Sequence, residues 1–74
     1  RAKIYFGAFV KLKNDQGNIA NYRLVGPDEI QPKKGLISVD SPVGRALLGK
    51  KKGDEIIIGS NVEQKLYLVL KVTY

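Results

Sequence analysis

The chain has 74 residues, with thirteen Lys/Arg against seven Asp/Glu for a formal net charge of +6, and it contains no cysteine and no histidine. That length allows one domain, residues 1–74, burying roughly 60% of its unfolded surface, and the composition excludes disulfides, thiolate metal sites and thiol catalysis. The commonest general base and neutral metal ligand is missing too, no apolar run approaches a membrane span, and nothing resembles a signal peptide, so a cytoplasmic protein is expected.

Ile4-Tyr5-Phe6-Gly7 is an apolar entry whose glycine suggests a bend. From Ala8 to Lys13 the chain alternates, with Ala8, Val10 and Leu12 on one side and Phe9, Lys11 and Lys13 on the other. That is a half-buried strand, and Phe9 is the apolar exception on its wetter face. Asn14-Asp15-Gln16-Gly17 is turn chemistry, and Ile19 to Val25 closes a hairpin with the first strand. The segment from Gly26 to Gly35 holds two prolines and two glycines, which disfavour a continuous strand, while Asp28 and Glu29 open a single helical turn at most. Leu36 to Val39 then gives a short third strand.

Ser41 before Pro42 reads as a helix N-cap. Proline disfavours helical backbone in the residue before it and fits the first helical position, where an amide hydrogen is orphaned anyway. Val43, Ala46 and Leu47 fall at i, i+3 and i+4 on one apolar face, and Gly49 supplies a left-handed stop before Lys50, Lys51 and Lys52. So short a helix does not persist alone in water, so it must lie on a sheet. Gly44 inside it costs roughly 1 kcal/mol relative to alanine unless it lets the helix approach its support closely. After the turn at Gly53-Asp54, the isoleucines of Glu55-Ile56-Ile57-Ile58 suggest a strand covered on both faces, or one that twists across the core. Gly59 to Gln64 connects it to Lys65–Tyr74, the longest strand and an interior one, with Leu66, Leu68, Leu70, Val72 and Tyr74 assigned to one face. Five strands and one short helix with hairpins at both ends make an α+β domain, its mostly antiparallel sheet curled around the helix.

Five blocks standing in order carry a family resemblance: Tyr5-Phe6-Gly7-Ala8, Arg23 to Ile30, Ile37 to Pro42, Arg45 to Lys50, and Gly53-Asp54-Glu55. Over essentially its whole length the chain resembles the C-terminal domain of the Gre transcript cleavage (transcription elongation) factors of bacterial RNA polymerase. Tyr5-Phe6-Gly7 and Asp28-Glu29-Ile30 are nearer the GreB branch than the GreA branch. The resemblance implies an FKBP-like fold and docking on a coiled coil of the polymerase β′ subunit at the rim of the secondary channel. It also implies that cleavage is stimulated by acidic residues at the tip of a separate N-terminal coiled coil. No long heptad pattern is present here, so the chain is expected to be the docking half of such a factor, a domain of something longer, as its opening on Arg1 also suggests.

The family's polymerase contact carries over to Asp40, Ser41 and Pro42. Asp40 offers charge-assisted hydrogen bonds to a basic partner, and Pro42 a rigid apolar face that loses little entropy on binding. The competing reading is that Asp40 and Ser41 merely cap the helix. Arg45, projecting away from Val43 and Leu47, joins the candidate partner-binding set. One departure stands out: Gly59-Ser60-Asn61-Val62-Glu63-Gln64 lacks the family's Pro…Gly-Glu hairpin.

Other readings compete. Asp28/Glu29 and Asp54/Glu55 look like carboxylate pairs, but neighbours in extended chain point to opposite faces, and no glycine pattern matches a phosphate loop. A peptidyl-prolyl isomerase follows from the fold alone and needs an aromatic-lined pocket, for which only Phe6, Phe9 and four tyrosines are on hand. A basic nucleic-acid-binding module follows from charge, yet neither Lys33-Lys34 nor Lys50–Lys52 is interleaved with aromatics. A Gre-like paralogue that occupies the polymerase without stimulating cleavage remains open. The expectation is a monomeric docking domain with no catalytic residues, metal or cofactor, no membrane role, and nucleic acid at most a secondary partner.

Overall fold

In the computed structural model, which describes residues 3–59 and 62–74, the alternating segment after the bend at Gly7 forms strand β1 (Phe9–Asn14). The turn behaves as its residues dictate: the Asn14 side-chain oxygen accepts from the amides of Gln16 (3.0 Å) and Asn18 (2.8 Å), and Gly17 takes φ of 86°. Strand β2 (Ile19–Val25) returns antiparallel to β1, pairing Phe9 with Arg23 and Lys11 with Asn21. The proline-rich segment then makes two single 3-10 turns, Pro27–Glu29 and Pro32–Lys34. These reverse the chain so that β3 (Leu36–Ser38) lies parallel to β2. Helix α1 (Pro42–Leu47), β4 (Glu55–Gly59) and β5 (Gln64–Thr73) complete one five-stranded sheet of order β3-β2-β1-β5-β4. It is antiparallel except at the β2–β3 edge, and β5 is an interior strand, as its length suggested.

The core lies between the helix and one face of the sheet. Val10, Leu12, Leu24, Leu47, Ile56 and Val69 are buried there with Ile4, Ala8 and Ile37, and Val43 and Ala46 pack against them. The predicted apolar face of the helix is therefore the one that meets the sheet. Beyond Gly49, which takes φ of 78°, the entry segment is stitched to the exit of the helix: Gly49 donates to the Ile4 carbonyl and Ile4 to that of Lys50, both at 2.8 Å. The last residue closes the same end. The Tyr74 hydroxyl donates to the Lys3 carbonyl at 2.6 Å and accepts from the Tyr5 amide at 2.7 Å.

Two expectations are corrected. Ile56–Ile58 are not covered on both faces: β4 is an edge strand with Ile56 4% exposed and Ile57 59% exposed, so only one face is packed. The alternation assigned to β5 does not run unbroken. Lys11 pairs with Lys71 but Leu12 pairs with Val69, leaving Leu70 as an extra residue, a β-bulge that reverses which parity faces the core. Tyr67 and Val69 face inward on one side of it and Val72 on the other, because apolar residues in both parities left the sequence pattern blind to the reversal. The β4–β5 hairpin closes with Gly59 opposite Gln64; Ser60 and Asn61 of the anticipated connection lie outside the described residues.

Burial predicts contrasting costs for two similar apolar truncations. Leu47→Ala, at a fully buried position, lowers unfolding free energy by about 2–5 kcal/mol. Ile57→Ser on the open face stays within about 0.5 kcal/mol. Denaturant melts of both variants check this pair.

Candidate docking corner at the start of the helix

The corner between β3 and α1 is built from two serines. The Ser38 side-chain oxygen accepts from the Asp40 amide at 3.0 Å, and the Ser38 carbonyl accepts from the Ser41 hydroxyl at 2.6 Å and the Ser41 amide at 3.1 Å. Ser41 in turn accepts from the Gly44 amide at 3.0 Å through its side chain and from the Arg45 amide at 2.8 Å through its carbonyl. Ser41 is thus the N-cap, with φ of −69° and ψ of 159°, and Pro42 takes the first helical position. Gly44 is the reason the corner sits so close to the strand. It is buried, and a Cβ there would collide with the Ser38 carbonyl oxygen and lie 3.0 Å from the Val39 Cα. Its cost in helix propensity is the condition for backbone-to-backbone contact.

Capping and exposure divide between neighbours. Ser41 is half-buried and takes the cap, whereas Asp40 and Pro42 are exposed. Among the described residues, no hydrogen bond or ion pair engages the Asp40 carboxylate or the Arg45 guanidinium. Arg45 is exposed on the last turn of the helix. The four candidates therefore share one short stretch, with Ser41 turned into the scaffold and Asp40, Pro42 and Arg45 left to solvent.

The carboxylate pairs are not acid–base couples. Asp28 and Glu29 are exposed in a 3-10 turn. Asp54 accepts from the Lys51 amide at 3.0 Å and faces the Lys51 ammonium at 3.5 Å, and chiefly that backbone hydrogen bond holds its carboxyl below the ordinary range. A general acid at neutral pH requires a shift in the opposite direction. Among the described residues, no group of three or more His, Asp or Glu is placed to hold a metal, and no helix is long and apolar enough to cross a membrane. The aromatics do not converge on one cavity either: Phe9 lines a depression on the outer sheet face, Tyr22 and Tyr67 pack against the core, and Tyr5 and Tyr74 meet at the chain entry.

A family model described as transcription elongation factor, GreA/GreB, C-terminal, matches residues 1–74. The chain belongs to the GreA/GreB family. It is 42% identical over 72 residues to the transcription elongation factor GreB of Pseudomonas aeruginosa, covering 97% of this chain and 43% of that protein. It is 45% identical over 73 residues to the GreA of Maridesulfovibrio salexigens, covering 97% and 46%. Among solved structures, the GreA factor homolog Gfh1 of Thermus thermophilus superposes with a TM-score of 0.85 at 27% identity, over 97% of this chain and 49% of that one. A GreA/GreB factor from Nitrosomonas europaea superposes at 0.83 and 27% identity, over 99% and 62%. The chain thus spans less than half the length of these two curated Gre relatives.

One surface of this Gre domain escaped the sequence reading. Lys11, Arg23, Lys34 and Lys71 come together around Phe9, although none of them is adjacent to it in sequence. Strand register brings Arg23 and Lys71 to Phe9 and Lys11, and the 3-10 turn Pro32–Lys34 adds Lys34; the one available signal was the placement of Phe9 beside Lys11 on the wetter face of its strand.

Substitutions in the corner separate cap from surface. Ser41→Ala lowers stability by about 1 kcal/mol through loss of the cap, while Asp40→Ala changes it by less than about 0.5 kcal/mol. Gly44→Ala, which propensity alone would favour by roughly 1 kcal/mol, is net destabilising because the added methyl meets the Ser38 carbonyl. Thermal and denaturant unfolding of the three variants measures all of these.

Proposed function

We propose that this chain is the polymerase-docking domain of a Gre-family transcription elongation factor. It binds bacterial RNA polymerase through Asp40, Ser41, Pro42 and Arg45, and the surface it grips is the β′ coiled coil at the rim of the secondary channel. The observation that carries the reading is the exposed Asp40 carboxylate, free of any intramolecular partner among the described residues, beside an exposed proline on a corner locked by Ser38 and Ser41. A carboxylate required for capping would be engaged; this one is left for a cationic partner, with which hydrogen bonds are charge-assisted. The locked corner and fixed proline ring lose little conformational freedom on contact, so more of the gross interaction remains as affinity. Arg45, one turn along, adds a rim charge that orients the approach.

In this reading the domain acts in the cytoplasm as a monomer and has no catalysis of its own. Stimulation of transcript cleavage belongs to the coiled-coil part of a full-length factor and to the metal site of the polymerase. The isomerase alternative finds no support in the dispersed aromatics, and fold alone does not transfer activity.

Titration of the chain against a β′ coiled-coil fragment tests the proposal. Asp40→Ala and Pro42→Ala each weaken binding about tenfold or more, about 1.4 kcal/mol, with melting temperature nearly unchanged. Arg45→Ala has a smaller effect, seen mainly in association rate and salt dependence. Affinity unchanged in both Asp40→Ala and Pro42→Ala, or binding lost only in proportion to folding, would return the corner to a purely structural role.

A further inference from the structure

The sheet face opposite the helix carries an arrangement that docking at the corner does not use. On it, Phe9 of β1 stands opposite Arg23 of β2 and Thr73 of β5, and the next outward row places Lys11 between Asn21 and Lys71. Lys11 and Lys71 are therefore like charges directly opposite each other on paired strands, a destabilising arrangement. No acidic residue lines the depression of about 290 Å³ that these side chains and Lys34 surround, so nothing within it offsets the repulsion. The Arg23 guanidinium lies over the Phe9 ring, 4.6 Å from its centroid, and its buried Nε has no hydrogen-bond partner. Phe9 itself remains 45% exposed.

Four cations and an exposed aromatic form a site whose missing component is anionic and flat. We propose that this outer sheet face binds single-stranded nucleic acid, with phosphates at Lys11, Lys71 and Lys34 and a base stacked on the Phe9–Arg23 pair. Single strands pair a positively charged track with stacking on aromatic or guanidinium planes. An acidic peptide would satisfy the charges but leave the planar floor unused. A duplex keeps its base faces stacked out of reach of a ring set into a sheet. The β5 bulge at Leu70 is what brings Lys71 into register with Lys11, so the site is a product of the fold and not of a lysine run. It shares no residue with the docking corner.

Fluorescence anisotropy of a short labelled oligouridylate titrated with the chain tests the proposal. The expected result is binding whose logarithmic salt slope is about −2, from about three neutralised phosphates on a single strand. The double substitution Lys11→Glu, Lys71→Glu weakens it about tenfold or more. Phe9→Ala weakens it about fivefold to a hundredfold without changing the slope. Asp40→Ala leaves it unchanged, which keeps this result separable from the polymerase contact. Lys71→Glu alone weakens binding as well, yet raises the melting temperature by turning a repulsive cross-strand pair into an attractive one, so that variant's loss of binding is not a loss of fold. Absence of binding at about 50 mM salt overturns the proposal. Indifference to either the lysine or the Phe9 substitutions overturns it too, and equal displacement by oligoglutamate would reassign the face to an acidic protein segment.

Discussion

The contact between the first turn of α1 and the end of β3 governs the rest of the molecule. A helix of Pro42–Leu47 is too short to form in isolation, because nucleation is unfavourable and few hydrogen bonds follow it. It exists here because Ser41 satisfies the Gly44 amide and ties itself back to the Ser38 carbonyl. Gly44, lacking a side chain, then lets the helix backbone settle against that same carbonyl. At the other end, Leu47 enters the core and Gly49 hands the chain to the Ile4 segment. Each element is inadequate alone, and together they fix the positions of the exposed Asp40 and Pro42 on either side of Ser41.

That arrangement lets a structural motif and the proposed binding motif occupy the same stretch of chain. Capping falls to Ser41, whose hydroxyl is both donor and acceptor and is consumed by the scaffold. The neighbours on either side inherit a rigid backbone and remain exposed. In the proposed role, such a division would keep the surface ordered before a partner arrives, which lowers the entropic cost of association. The sheet follows the same logic: the bulge that reverses which β5 residues face the core also sets Lys71 opposite Lys11 on the outer face.

Where local chemistry decides structure, the sequence was sufficient. Ser41-Pro42 announced the cap, Asn14–Gly17 the turn, and the spacing of Val43, Ala46 and Leu47 the buried face of the helix, because each depends on residues within one turn of one another. Where long-range pairing decides, it was not. Leu66 to Val72 is apolar in both parities, so nothing local records that Leu70 is extra and that Val69, not Leu70, reaches the core. Of the two readings of Ile56–Ile58, cover on both faces or a twist across the core, the first fails because β4 lies at the sheet edge, a matter of strand order. The proposed docking residues were legible as a motif, while the freedom of the Asp40 carboxylate among the described residues needed coordinates. The cation cluster around Phe9 depends on three strands and a 3-10 turn, and in one dimension only its Phe9–Lys11 part shared a face.

The central claim is that the corner before α1 is a surface held ready for the polymerase and not only the beginning of a helix. Amide chemical-shift mapping of the isotopically labelled chain during titration with a β′ coiled-coil fragment addresses it most directly. The account predicts that the largest perturbations cluster at Asp40, Ser41 and Val43 to Arg45, with the outer sheet amides of Lys11 and Lys71 unmoved. Perturbations confined to the outer face, with the corner silent, would contradict it.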